Sequence, residues 1–236
     1  MVVTGGGTGI GAETALYFAE AGATRIALLG RREQPLLDTK ASIKNRFADA
    51  EVFVASTDVT KKSEVDAAFT KFVDGGKIDV LVSNAAMVGP PEPVRDADGD
   101  KLLDAVHQNL KGSLFVAQAF LRYTSTDAVV INVSSAAAHL EFGPARFASY
   151  SIAKLAIVRL WDSLAFANPE LNVFHVQPGV VNTAMNREAG GIDFIGHEDD
   201  GRRDNCLRSR SLKLTSTQFL YQQASMSGLQ ARKRVS

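Results

Sequence analysis

The chain has 236 residues, of which 45% are hydrophobic and 22% charged, with 19 Gly, 7 Pro and a single Cys. This composition excludes collagen-like, coiled-coil and wholly disordered chains, and also a disulfide framework or a cysteine zinc cluster. No apolar run approaches the ~18 residues of a membrane span, and no basic region precedes an apolar stretch as in a signal peptide. The expectation is a soluble, cytoplasmic protein with one large domain. Lys plus Arg and Asp plus Glu balance at 26 each, but the balance is uneven along the chain. Residues 201–236 carry eight bases and one acid, which leaves 18 bases and 25 acids in residues 1–200.

In chain order, Val2-Val3-Thr4 enters the glycine cluster Gly5-Gly6-Gly7-Thr8-Gly9-Ile10-Gly11. Ala12, Ala15, Leu16 and Ala19 then recur at helical spacing, and Gly22 stands where a helix ends. Arg25 to Leu29 reads as a strand ended by Gly30, residues 32–48 as an exposed helix, and Val52 to Ala55 as a strand. Val65, Ala68, Phe69 and Phe72 mark one helix face. Ile78 to Ser83 and Ala128 to Val133 are strands with little polar alternation, separated by a helix over 100–122. A helix over 148–167 stops at Asn168-Pro169, and Val173 to Val176 is the last clear strand. Strands that are apolar on both faces and alternate with helices predict a doubly wound parallel α/β sheet.

Strand, glycine turn and helix together form a dinucleotide-binding geometry. Gly5, Gly9 and Gly11, with Thr8 and Ile10 between them, let the backbone approach a pyrophosphate at a helix N-terminus. The spacing Thr-Gly-x-x-x-Gly-x-Gly is one residue longer than the usual fingerprint. An acid at the end of the second strand would select NAD, whereas this chain has Gly30-Arg31-Arg32. Arg31 can pair with a ribose 2′-phosphate, so NADP is favoured over NAD, the alternative being two solvated arginines that open a surface helix.

Ser134-Ser135 follows the fifth strand at the carboxyl edge of the sheet, where open α/β sheets bind ligands. Tyr150 and Lys154 are spaced i, i+4 on one helix face. A nearby ammonium is expected to lower the phenol pKa, so that Tyr150 exchanges a proton with a carbonyl or alcohol oxygen. Ser135 can hold that oxygen, and Lys154 can also bond the nicotinamide ribose. Hydride chemistry would be the cofactor's own.

Taken together and in this order, the pieces resemble the short-chain dehydrogenase/reductase family of single-domain NAD(P)-dependent oxidoreductases with a Rossmann fold. The residues that carry the resemblance are Thr4 to Gly11, Asp58-Val59, Asn84-Ala85-Ala86, Asn109, Ser135, Tyr150-Ser-Ile-Ala-Lys154 and Pro178-Gly179 with Thr183. The resemblance implies that Asp58 and Val59 flank the adenine and that Asn84-Ala85 packs beside the cofactor. It implies that Asn109 interrupts the long helix and holds a water in a proton relay through Lys154. It also implies that Val181 and Thr183 close over the nicotinamide amide and phosphates, and that the protein pairs into homodimers or homotetramers through its long helices. Ser83-Asn84-Ala85-Ala86 stands where members usually read Asn-Asn-Ala-Gly, and the Ser135–Tyr150 interval is about two residues longer than common.

His107, His139, His175 and His197 have no metal-ligand spacing, so no metal is expected. Phe142, Phe147, Met185 and Phe194 fit either a pocket or a core. Only Met1 to Val3 precede the glycine loop, so the first strand reads as truncated, and the domain reads as ending near residue 200. The basic, aperiodic segment 201–236 is expected to be disordered. We read it as a retained intron within Gly201–Gln218 followed by a frameshift, because Ala224 to Ser236 can be recoded into a helix like that of relatives. Such an intron would fit a eukaryotic source and secondary-metabolite chemistry. Two alternatives to an NADP-dependent carbonyl or alcohol oxidoreductase are an inactive, truncated nucleotide-binding relative and a nucleic-acid binder acting through the tail. The expected partner is a small molecule, with neither nucleic acid nor membrane.

Overall fold

A computed structural model describes residues 1–139 and 147–188. The domain end near residue 200, the tail from 201 to 236, Phe142, Phe194, His197 and Cys206 lie outside the described residues.

Six strands form one parallel sheet in the order β3-β2-β1-β4-β5-β6. They are β1 (Val2–Thr4), β2 (Arg25–Gly30), β3 (Glu51–Ser56), β4 (Ile78–Ser83), β5 (Thr124–Val133) and β6 (Asn172–Val176). The helices between them are α1 (Gly9–Glu20), α2 (Glu33–Arg46), α3 (Lys62–Val73), α4 (Gly99–Tyr123) and α5 (Ala148–Ala167), with a short α6 (Ala184–Glu188) after β6. This is the predicted doubly wound sheet. The order reverses between β1 and β4, and that switch point is where such sheets open a ligand crevice.

Neighbouring residues of each central strand bury on opposite faces of the sheet. Val2, Leu29, Leu81 and Val130 pack against Phe69 of α3, Phe120 of α4 and Trp161 of α5. Val3, Leu28 and Val82 pack against Ala15 of α1 and Leu36 and Ile43 of α2. An apolar residue at every position is what a strand covered on both sides requires.

The ends of the elements follow local chemistry. Gly22 takes φ +95 just beyond α1, as its place in the sequence predicts. Asp98 caps α4 by accepting from the N–H groups of Asp100 and Lys101. β1 has the expected central position: its three residues pair with β2, and Val2 and Val3 also pair with β4. β5 starts four residues before the predicted Ala128. Its first residue, Thr124, pairs with Ile78 across a register shift, and Asp127 absorbs the irregularity at φ +59.

One expectation is corrected. α4 runs unbroken from Gly99 to Tyr123 through Asn109, so that residue does not interrupt the helix. The Asn109 amide donates to Ala105 O, one turn back, at 2.9 Å, and so adds to the helical ladder without replacing part of it.

Candidate active site

The carboxyl ends of β1, β2, β4 and β5 open into one cleft of about 1220 Å³. That exceeds the ~300–1,000 Å³ of ordinary small-molecule pockets and leaves room for a large ligand beside a small one. Every sequence-predicted site residue borders it except Gly11, which is buried beneath the glycine turn.

The glycine turn is tied to β4 by Thr4 and Asn84. Thr4 Oγ1 donates to Val82 O at 3.3 Å and accepts from Asn84 N at 2.9 Å and Ala85 N at 3.1 Å. Asn84 Nδ2 donates to Thr4 O at 2.9 Å. Asn84 therefore shapes the turn, and Ala85 beside it faces the cleft. A Cβ on Gly11 would lie 2.2 Å from Gly5 O, so only glycine lets α1 start this close to the turn. A Cβ on Gly9 would lie 2.9 Å from Thr183 Cγ2, which brings the segment after β6 onto the same turn. These glycines leave backbone N–H groups bare at the N-terminus of α1, and that cradle fits a pyrophosphate.

Arg31 and Arg32 are exposed at the end of β2 and border the same cleft. Asp58 and Val59 follow β3. Burial opposes the Asp58 charge, but hydrogen bonds from Thr60 N at 3.0 Å and Thr60 Oγ1 at 2.8 Å, with the Lys61 and Arg31 charges, hold its carboxyl below the ordinary value. Val59 packs on α4, where a Cβ on Gly112 would meet Val59 Cγ2 at 2.8 Å.

At the other end, the structure brings Ser135, Tyr150 and Lys154 together. Ser135 lies at the end of β5 and its Oγ accepts from Ala137 N at 3.2 Å. Burial pushes the Tyr150 phenol above its ordinary pKa, and a hydrogen bond with Ser135 draws it partly back. Lys154 is 5% exposed, and burial lowers it to about 8. Its Nζ donates to Val133 O at 2.6 Å and lies 5.6 Å from the Tyr150 ring centroid. This corrects the expectation that Lys154 depresses the phenol pKa. In the protein by itself desolvation dominates, and it acts on both groups.

The structure does not join the Asn109 side chain to Lys154. Its Oδ1 accepts from Met87 N at 2.9 Å and its Nδ2 donates to Met87 O at 3.0 Å. Val181 and Thr183 border the cleft, and Thr183 Oγ1 accepts from Asn186 N at 3.1 Å. Phe147 and Met185, which the sequence left between core and pocket, both border the cleft. So do Met87, Val88 and Gly89, which sequence reasoning missed. Their signal was a glycine followed by two prolines just after the Asn84-Ala85-Ala86 motif.

His107 and His139 are exposed, and His175 lies between Asn132 and Asp162, so no metal cluster forms among the described residues.

Comparison with known proteins agrees with this geometry. The family profile described as short chain dehydrogenase matches residues 1–191. The short chain dehydrogenase/reductase AacuD of Aspergillus aculeatus is 31% identical over 202 residues, covering 84% of this chain and 69% of its own. A short chain dehydrogenase from Shigella flexneri, solved with NADP, superposes with a TM-score of 0.71 at 25% identity, covering 80% of each chain. NAD+-bound xylitol dehydrogenase superposes with a TM-score of 0.66 at 32% identity, covering 76% of this chain and 69% of that one. Sheet order, glycine turn and the Ser135–Tyr150–Lys154 cluster thus agree with the sequence match, and the chain belongs to the short-chain dehydrogenase/reductase family of oxidoreductases acting on alcohol and carbonyl groups.

Proposed function

We propose that the chain is an NADP-dependent oxidoreductase that interconverts a carbonyl and a secondary alcohol. The observation that carries this reading is the joining of two ends in one cleft: a glycine cradle flanked by Arg31 and Arg32, and the Ser135–Tyr150–Lys154 cluster. Cofactor contacts fall to Gly5, Thr8, Gly9 and Ile10 at the pyrophosphate, with Gly11 beneath them setting the turn, Arg31 at the 2′-phosphate, and Asp58 and Val59 at the adenine. Asn84, Ala85, Val181, Thr183, Tyr150 and Lys154 complete the set at the nicotinamide end. When bound there, a reduced dinucleotide would supply the hydride for the carbonyl carbon and would itself be oxidised.

The chain's own residues handle the oxygen. Ser135 holds it by a hydrogen bond, and Tyr150 delivers the proton that completes the alcohol, or removes it in the reverse direction. Burial favours the protonated phenol, so the proton needed for reduction is in place. Lys154 supplies positive charge and a ribose contact. Asn109 acts one step removed, fixing the Met87 main chain at the rim of the reacting end.

NADP is favoured because Arg31 and Arg32 occupy the end of β2 and no acid stands there. Among the described residues no helix is long and apolar enough to cross a membrane, and cytoplasmic placement is part of the proposal. So is a homo-oligomer, supported by exposed Leu103 on α4 and Ile152 and Leu155 on α5. Secondary metabolism is supported by the fungal source of AacuD.

Fluorescence titration with NADPH and with NADH tests the reading. Tighter binding of NADPH is expected, and tighter binding of NADH would overturn the cofactor assignment.

A further inference from the structure

The stretch Met87–Pro91 forms one side of the cleft at its reacting end. It has no regular secondary structure, yet both long helices hold it. From α4, one amide grips both main-chain polar groups of a single residue: Asn109 Oδ1 accepts from Met87 N at 2.9 Å and Asn109 Nδ2 donates to Met87 O at 3.0 Å. From α5, Ser149 Oγ donates to Val88 O at 3.3 Å, and Ser149 immediately precedes Tyr150. Gly89 sits at φ +81 in a slot between the helices, where a Cβ would meet Ser149 Oγ at 2.6 Å and Ala105 Cβ at 2.7 Å. Pro90 and Pro91 follow, with φ fixed by their rings.

This anchoring has a chemical consequence. Three main-chain polar groups of the stretch, Met87 N–H, Met87 C=O and Val88 C=O, are spent on the protein itself. Pro90 and Pro91 have no N–H to offer. The side chains of this stretch that border the cleft, Met87, Val88, Pro90 and Pro91, offer carbon and sulfur. Met87 is 41% exposed and Val180, on the segment after β6, is 47% exposed, and both border the cleft. Charge is divided in the same sense. The cations bordering the cleft are Arg31 and Arg32, far along the chain of contacts at the end of β2, and Lys154, whose Nζ is bonded to Val133 O. Of the two charges on α6, the Glu188 carboxylate borders the cleft, while Arg187 is off the lining and donates to Asn182 Oδ1 at 2.8 Å. Gln108, also on the lining, donates to Asp104 at 3.0 Å. Ser151, Gln177 and Asn186 are polar members of the lining, and Ser134 Oγ and Asn186 Oδ1 have no hydrogen-bond partner among the described residues.

Resting on the proposed reductase reading, we infer that Met87–Pro91 is a prebuilt apolar wall that selects a bulky, uncharged, apolar ketone, and that Ser149 is the positioning residue that locks this wall to the helix carrying Tyr150. Where it lies against this wall, a polyhydroxylated ketose would lose water at its hydroxyls that the Met87, Val88 and proline side chains cannot replace. A carboxylate substrate would meet Glu188, and the cations on the lining are Lys154, already bonded to Val133 O, and the two arginines at the end of β2. An apolar ketone meets polarizable Met87 and the proline rings, and leaves its one oxygen for Ser135 and Tyr150.

The test compares kcat/KM with NADPH for benzylacetone, xylulose and pyruvate on the full chain. Benzylacetone is expected to lead by about 100-fold, the scale on which a site discriminates between apolar and polar groups. Preference for xylulose or pyruvate overturns the wall and leaves the reductase reading standing. If none of the three turns over, calorimetry of each with the NADPH-loaded protein separates the cases. Benzylacetone binding alone supports the wall and removes the reaction, whereas no benzylacetone binding overturns the wall. For Ser149→Ala, the KM for benzylacetone is expected to rise about tenfold, as for one lost buried hydrogen bond, with kcat and NADPH affinity little changed. Met87→Gln, at an exposed position, should raise the same KM and narrow the preference over xylulose. A parallel fall in kcat and NADPH affinity for Ser149→Ala, or an unchanged KM for both variants, would overturn the positioning role.

Discussion

Lys154 lies against Tyr150 but spends its ammonium elsewhere: Nζ sits 5.6 Å from the phenol ring centroid and donates to Val133 O at 2.6 Å. The i, i+4 spacing thus gives a stacked pair joined to the end of β5. A hydrogen bond with Ser135 draws the Tyr150 phenol partly back toward its ordinary pKa. The proton carrier thus neighbours the oxygen holder as well as the lysine.

Tyr150→Phe removes the hydroxyl and keeps the ring. Steady-state turnover with NADPH and any accepted ketone should fall by about 10²–10⁴-fold, the usual contribution of a positioned acid. NADPH binding, followed by fluorescence, should change little. Turnover that survives the substitution would show that the proton comes from another group.

The pH dependence follows from Lys154. Burial lowers it to about 8, so its charge is present below that pH and lost above it. The kcat/KM for reduction should therefore decline as pH rises through about 8, and a profile that stays flat well beyond it would contradict the role given to the lysine charge. The same shift has a stability consequence with a definite sign. Between about 8 and 10.5 the unfolded chain binds a proton at this lysine that the folded chain does not. The Lys154 contribution to unfolding free energy thus rises with pH across that window. Urea titrations of the wild type and Lys154→Met should show this as a difference that changes with pH.

Arg31→Ala should weaken NADPH binding by about 10–100-fold, the range of one to two kcal/mol or somewhat more for a charge-assisted contact. NADH binding should be nearly unchanged. Equal losses for both cofactors would place Arg31 on a part of the nucleotide they share. If Arg32→Ala carries the loss instead, the two neighbouring arginines exchange roles.

Gly11→Ala places a carbon where Gly5 O stands, at 2.2 Å, and backbone on both sides leaves no flexible end to yield. The expected result is loss of binding of both dinucleotides together with a lower thermal midpoint. Wild-type affinity in this variant would mean that α1 can shift outward without disturbing the cradle.

Much of this protein was legible in its sequence. Paired apolar neighbours such as Val2-Val3, Leu28-Leu29 and Leu81-Val82 can bury both side chains only in a strand covered on two faces, and such strands alternating with helices specify a doubly wound sheet. Gly5, Gly9 and Gly11 before α1, and the Tyr150–Lys154 spacing on α5, are local patterns. Backbone geometry alone makes them a turn at a helix start and a shared helix face.

Other features depended on contacts between distant segments. The unbroken course of α4 through Asn109 and the amide clamp on Met87 arise across 22 residues of separation. The contact of Thr183 with Gly9 and the bond from Ser149 to Val88 form only once helices and loops converge on the carboxyl edge of the sheet. The raised phenol and lowered ammonium were also beyond the sequence, which shows that Tyr150 and Lys154 are near each other but not how deeply both are buried. Proximity along a helix is set by its pitch, whereas desolvation is set by everything packed around it, and here desolvation is the largest influence on both groups.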